Sequence, residues 1–327
     1  MPLKAPSFGS QQYWDTRFTA NPSPFEWLES PTALDPFLTE ALNATGESDP
    51  QLLHIGCGTS LLSYHLRAHV RQPEQIHNLD YSEVAVEVGQ RRELELYNPK
   101  LARGEGETKV VENGAIAGRS RSTGIDGSLQ QETVGPKDLY MRWSTANLLD
   151  HSSLLRVCQP STYTLVIDKS TSDCIACSDD LYVPLPYHVT TPQGRPSSNL
   201  TKSTEPIHPL HIMAIHLALV TKPKGRWISL SYSMERYPFL RDTPFGSIAS
   251  SSLAQQDDLD DIPKEIIDGG FPDPSLLWRL VGKYAMEAPP PAEPSNGQNG
   301  LAVVHRPKVM HWIYVLERTH VQLVVQK

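Results

Sequence analysis

The stretch Leu52-Leu53-His54-Ile55-Gly56-Cys57-Gly58-Thr59-Ser60 constrains this chain more than any other. A short apolar run that enters two glycines and leaves into helical periodicity is a strand-to-helix turn whose backbone a ligand can approach closely. Residues 51–55 read as the strand and 61 to about 69 as the helix. A second apolar run, 75–79, ends at Asp80, and Ser82 stands ready to cap a helix over 84 to about 96. A carboxylate at the tip of the second strand, about 20 positions past the turn, can accept both hydroxyls of a ribose. The expected ligand class is a nucleoside, with a tight turn and an exposed, N-capping Asp80 as the plainer reading.

The rest of the chain alternates β-rich runs with helical stretches, the pattern of an α/β fold with a mostly parallel sheet. Residues 138–143 and 162–167 read as the third and fourth strands, and a helix begins near Thr171. Residues 210–221 read as a further helix, and 226–232 as the fifth strand behind the Pro223 and Gly225 turn. Two late strands, 276–288 and 308–318, are expected to pair antiparallel through the flexible link between them. With 28 prolines in 327 residues, above the usual share of about 5%, long loops are expected. Insertions are read at about 99–136, 184–209, 245–262 and 288–302. The expected organisation is one catalytic domain over 51–327, preceded by an aromatic, helical segment over 1–50 that serves as a lid.

Apolar residues at 39% and charged residues at 20% place the chain among globular proteins. A formal charge of −8 leaves no broad basic surface for phosphates, so nucleic acid is not the expected partner and a basic protein fits better. No run reaches the roughly 18 apolar residues of a membrane helix, and the start lacks a signal-peptide core; a cytoplasmic or nuclear protein is expected. Four scattered cysteines do not make a disulfide framework. Cys174 and Cys177 form a C-x-x-C, but no second pair is read to complete a metal site, so none is assigned.

The second polar signal is Asp168-Lys169-Ser170-Thr171-Ser172-Asp173, directly after the fourth strand. That position is the carboxyl edge of the sheet, where open α/β proteins place their sites. Asp168, Lys169 and Asp173 are the candidate catalytic residues, Asp168 as an acceptor-side carboxylate; capping of the following helix is its plainer role. Before the first strand lie Tyr13-Trp14-Asp15-Thr16-Arg17-Phe18 and Phe25-Glu26-Trp27-Leu28, suited to cover a ligand or to pack on the sheet. After the third strand, Trp143, Thr145, Ala146 and Asn147 could meet a base, with core packing as the alternative for the tryptophan.

These motifs, in this order, resemble the methyltransferase-like proteins that include the elongation-factor-1A lysine methyltransferases. That family is similar in an opening Y-W-D-x-R-[FY] and [FY]-[ED]-W, a strand ending in G-C-G-[NT]-S, then D-Y-S, and a fourth strand running into [DE]-K-G-T-x-D. The matches are Tyr13 to Phe18, Phe25 to Trp27, Gly56 to Ser60, Asp80-Tyr81-Ser82 and Asp168 to Asp173. The resemblance implies the Rossmann-like seven-strand sheet of class I methyltransferases, mostly parallel with an antiparallel last strand and helices on both faces. It also implies S-adenosylmethionine as cofactor, and the missing third glycine of a dinucleotide turn favours the same ligand over NAD. Residues expected around the cofactor are Trp14, Arg17, Trp27, Gly56, Cys57, Gly58, Ser60, Asp80, Tyr81, Ser82, Ala146, Asn147 and Asp168. Ser170 and Asn147 depart from the family's usual Gly and Asp.

The resemblance implies methyl transfer to a protein lysine or N-terminal amine, with elongation factor 1A as the suggested substrate. No N/D-P-P-Y/F follows the fourth strand, which ranks planar amide and base nitrogens lower. Two rival readings stand beside it, a non-catalytic binding module on the same fold and an NAD-dependent oxidoreductase.

Overall fold

The computed structural model describes residues 6–98, 140–192, 201–240, 262–288 and 308–326. Seven strands form the main sheet: β1 (Leu52–Ile55), β2 (Ile76–Asp80), β3 (Arg142–Thr145), β4 (Tyr163–Lys169), β5 (Thr221–Ser231), β6 (Trp278–Glu287) and β7 (Met310–Arg318). Their spatial order is β3-β2-β1-β4-β5-β7-β6. The first five run parallel, and β7 lies antiparallel to both β5 and β6. This is the Rossmann-like sheet of class I methyltransferases, with the antiparallel pairing of the two late strands as expected. Every residue of β1, β2 and β4 is buried, which is why β1 and β4 read as largely apolar runs, while β2 buries His77, Asn78 and Asp80; the edge strand β6 is half exposed. The strand order reverses beside β1 and β4, so the loops leaving these two strands part there and open a crevice.

Successive residues of each strand feed opposite faces. Leu53, Ile55, Val166, Trp227 and Leu316 point into one core layer, and Leu52, Leu165, Ile167, Ile228 and Ile313 into the other. The helices are α1 (Gln11–Ala20), α2 (Asp35–Thr45), α3 (Leu62–His65), α4 (Glu83–Tyr97), α5 (His151–Leu155), α6 (Thr171–Ile175), α7 (Pro209–Val220), α8 (Lys264–Asp268) and α9 (Pro274–Leu277). The second layer is closed by α2 and α3 through Leu38, Leu62 and Leu66. The first layer is built on α7, whose twelve residues are all buried. A helix apolar all round has no solvent face and needs an outer cover.

That cover corrects one expectation. Residues 184–209 read as a Pro/Ser/Thr-rich surface insertion, yet in the described parts Leu185, Tyr187, Val189 and Ile207 are buried in the α7 layer. Pro184–Leu185 pairs with Thr201–Lys202, and Val189–Thr190 pairs with Val324–Val325. The apolar residues here are spaced by prolines and carry no regular period, so only the demand of α7 for a cover reveals their role. Two strand boundaries also move. Parallel pairing of His77 with Arg142 and of Asp80 with Thr145 sets β3 level with the tip of β2, later than 138–143. β5 begins at Thr221, absorbing Pro223 and Gly225, with a register shift against β4. The expected insertions at about 99–136, 245–262 and 288–302 lie outside the described residues except for Ile262 and Ala288.

Trp227 is fully buried, its ring 4.8 Å from that of Tyr237 and 5.3 Å from that of Trp278. Trp227→Ala is expected to cost about 3–5 kcal/mol, read as a lower midpoint in urea unfolding.

Candidate active site

The glycine turn is built from two residues in left-handed conformation, Gly56 at φ +54° and Gly58 at φ +50°. A Cβ on Gly56 would lie 2.2 Å from the hydroxyl of Thr171, so the turn also needs glycine for space. The Gly58 N–H donates to Asp80 Oδ2 at 2.8 Å, and the Ser82 N–H donates to Oδ1 at 2.9 Å. Main-chain bonds from Cys57 N–H to Leu79 O and from Ala146 N–H to Asp80 O complete the stitching of the β1, β2 and β3 tips. Burial pushes the Asp80 carboxyl up to about 6, against the N–H groups of Ser82, Gly58 and Tyr81, and the charge of Asp15 adds to the rise. Each Asp80 oxygen uses one acceptor position on these N–H groups, and an ionised carboxylate has about four. Capacity for two more donors remains, as a ribose diol requires.

Asp80 lines a cleft over the carboxyl ends of β1, β2 and β4. Leu79, Ala146, Leu148, Leu149 and Ile175 give it an apolar wall, and Phe8, Trp14, Phe18 and Trp27 from the N-terminal segment form the opposite side. Trp14 stacks on Phe18 with centroids 5.5 Å apart, and its indole N–H donates to Phe8 O at 2.7 Å. This aromatic group is held in place from the sheet. The buried Lys169 ammonium donates to the Glu26 carboxylate, to Trp27 O at 2.9 Å and to Glu29 O at 3.2 Å. Glu26 in turn accepts from the Leu61 N–H at 2.6 Å and from the Ser60 hydroxyl. One carboxylate thus binds the tip of β4, the end of the glycine turn and the N-terminal segment. Burial draws the Lys169 ammonium down, opposed by Glu26 and Glu29.

The structure brings together Trp14, Trp27, Gly56, Cys57, Gly58, Ser60, Asp80, Tyr81, Ala146, Asn147 and Lys169 as cleft lining. Five other expected residues sit elsewhere. Arg17 lies over the Phe25 ring, 4.4 Å from its centroid. Ser82 is buried and caps α4, accepting the Ala85 N–H at 3.3 Å. Trp143 packs against α4 away from the cleft, its indole N–H donating to Glu93 and its ring filling the space beside Gly89.

Asp168 is the main correction. Its carboxylate accepts the N–H groups of Thr171 and Ser172 and the hydroxyls of Ser172, Ser229 and Tyr237, and it is fully buried. Five donors occupy it, so it caps α6 and has no capacity toward an acceptor or a cofactor. Asp173 is likewise removed: it pairs with Arg236 at 2.8 Å and accepts from Ser231 and the Tyr232 N–H. Strand-end position alone did not tell which side of the backbone each carboxylate takes. Ser170 adopts φ +67°, which explains why glycine suits this position.

Sequence reasoning missed Glu26 as a site residue, although its place between Phe25 and Trp27 was a signal. It also missed His54, which lies beneath the cleft, bonded to Ser63 and Asn78 and held neutral by burial that lowers its pKa to about 4. A histidine inside an apolar strand was its signal; nothing marked Ser178.

No family model matches the chain. It is 28% identical over 232 residues to Methyltransferase srdJ from Neurospora crassa, a match that covers 71% of this chain and 70% of that protein. Among solved structures, a SAM-dependent methyltransferase from Anabaena variabilis matches with a TM-score of 0.42 at 11% identity, covering 97% of this chain and 96% of the other. The N-methyltransferase NodS from Bradyrhizobium japonicum, in complex with S-adenosyl-L-homocysteine, matches with a TM-score of 0.41 at 9% identity, covering 96% and 99%.

Gly56→Ala is expected to lose at least about 2 kcal/mol of stability, from left-handed strain and the Thr171 clash together, and to weaken nucleoside binding in calorimetry. Asp80 gives a pH signature. Its folded pKa is raised, so the free protein loses stability as pH rises from about 4 to about 6. Affinity for a diol that needs the ionised carboxylate moves the other way. S-adenosylmethionine affinity should fall about tenfold from pH 8 to pH 5 with the slope setting in below about 6, and a flat profile would remove Asp80 from the ribose.

Proposed function

We propose that this chain, which has the sheet of a class I methyltransferase and a sequence likeness to a methyltransferase of Neurospora crassa, uses S-adenosylmethionine to methylate a protein amine. The observation that carries the cofactor reading is the meeting of the Gly58 N–H and the Asp80 carboxylate at the edge of an apolar cleft. The residues present fit the molecule: a carboxylate with two acceptor positions open for the ribose, an apolar wall for the base, and left-handed glycines where the backbone must come close.

The cofactor supplies a methyl on a sulfonium, which leaves as a neutral thioether. What the protein adds is alignment and exclusion of water. Asp80 fixes the sugar, and with it the direction in which the methyl points. Phe8, Trp14, Phe18 and Trp27 close the cleft from the N-terminal side, and the Lys169–Glu26 pair keeps them there. An amine acceptor must arrive without its proton, since a free lysine has a pKa of about 10.4. Among the described residues that line the cleft Asp80 is the one carboxylate, and it is engaged by the turn. In this reading, burial among the rings disfavours the ammonium form, and the amine sheds its proton to solvent on entry.

The protein-amine acceptor, a lysine or an N-terminus, is supported by the ordered motifs from Tyr13 to Asp173, and elongation factor 1A is the candidate substrate that they suggest. The test is transfer of tritiated methyl from S-adenosylmethionine into a cell lysate and into purified elongation factor 1A. Label is expected on a protein lysine or N-terminal amine, located by mass spectrometry. Asp80→Ala should weaken cofactor binding at least tenfold, in line with loss of hydrogen bonds to a charged group worth about 1.5–3 kcal/mol. Label confined to small molecules would overturn the protein acceptor, and absence of any heat with S-adenosylmethionine would overturn the cofactor.

A further inference from the structure

Outside the cleft, α2 and α3 bring three side chains to one point. His65 ends α3 and His69 ends the 3-10 turn that continues it, Leu66–His69, so the two imidazoles stand one helical turn apart on one side. Both Nε2 atoms meet the same oxygen of Asp35, the first residue of α2: His65 at 2.5 Å and His69 at 3.0 Å from Oδ1. The three ligand atoms lie within 4.8 Å of one another, and each residue is half-buried. The rings meet edge to face, with 5.6 Å between centroids. No histidine pair with metal-ligand spacing was read in the sequence, although His65 and His69 stand four positions apart; Asp35, 30 positions before His65, gave no signal at all.

We propose that Asp35, His65 and His69 bind a transition-metal dication of the zinc class. Two imidazoles and one carboxylate are the donor set such ions prefer over magnesium or calcium, which take oxygen ligands. Tetrahedral zinc with ligands at about 2.0–2.1 Å sets its donor atoms a little over 3 Å apart; His69 at 3.0 Å from the carboxylate oxygen nearly meets that spacing, while His65 at 2.5 Å has to draw back as the ion replaces its hydrogen bond. With side-chain exposures of 39% for Asp35, 24% for His65 and 14% for His69, the fourth position is open to water. The ion would fasten α2 to the helix that follows the glycine turn. Leu38 of α2 and Leu62 and Leu66 pack together just behind the three ligands, so the scaffold is preformed. The site is separate from the cofactor cleft, none of whose lining residues it shares.

The experiment uses the full chain, free of any histidine tag and stripped with a chelator, titrated with zinc chloride and separately with cobalt chloride. One zinc per chain at micromolar affinity or tighter, a rise in melting temperature, and visible cobalt absorption from a nitrogen and oxygen ligand field are expected. His65→Ala and His69→Ala should each weaken zinc by more than the roughly 10- to 100-fold that loss of an outer-shell partner costs, with S-adenosylmethionine binding kept. Zinc that binds the double variant as tightly as the parent would place the ion elsewhere and overturn the proposal. Should the histidine variants fail to fold, the parent decides alone: no cobalt spectrum, or a spectrum with thiolate charge transfer from Cys174 and Cys177, overturns it as well.

Discussion

The bond from the Gly58 amide to the Asp80 carboxylate orders the whole carboxyl edge of the sheet. It joins the tip of β1 to the tip of β2 across a parallel pairing that runs from Leu52 with Ile76 to Ile55 with Leu79. The cost is a carboxylate taken out of water, visible in its raised pKa. Backbone N–H groups offset part of that cost without neutralising the charge. What remains is an ionisable acceptor with unused capacity, held rigidly at the rim of an apolar cleft. A carboxylate free to rotate in solvent would have neither the direction nor the strength.

A second polar contact does for the N-terminal segment what Asp80 does for the strands. The Lys169 and Glu26 charges lie near the cleft, with the ammonium side chain almost wholly buried. Breaking one partner of such a pair leaves an uncompensated charge and costs about 3–5 kcal/mol. Even where its net contribution to stability is small, the pair fixes one position for the segment. α1 packs against α4 only through a small cluster around Trp14, Phe18 and Ala85. The same segment is also held by Lys169 at Trp27 O and Glu29 O and by the Glu29 bond to His311.

The fold and the cofactor half of the site were legible because their signals are local. The glycines, the β2 carboxylate and the apolar runs of β1, β2 and β4 each follow from burial on both faces or from a turn that only glycine adopts. The strand boundaries of β3 and β5 were less legible, since pairing with a neighbour fixes them. The direction of Asp168 and Asp173 was legible only as an alternative, helix capping for the first and a helix salt bridge for the second, with nothing local to decide it. A carboxylate at a strand end can turn to the cleft or to the helix behind it, and the choice here rests on Ser229, Tyr237 and Arg236, more than 60 residues away. The same holds for Asp35 and its two histidines, separated by 30 and 34 positions.

The wholly buried α7 has a consequence for how the chain is made. Its cover includes Phe271 and Leu277, the indole of Trp278 donating to Ala214 O, and the Arg318 guanidinium donating to Ala218 O. All of these leave the ribosome after the helix itself. During synthesis α7 has only part of its cover until β6 and β7 have been joined. A message that stops before β7 yields a polypeptide in which α7 keeps the cover of Leu185, Tyr187, Val189 and Ile207 but lacks the Arg318 cap and the Leu316 side of its core layer.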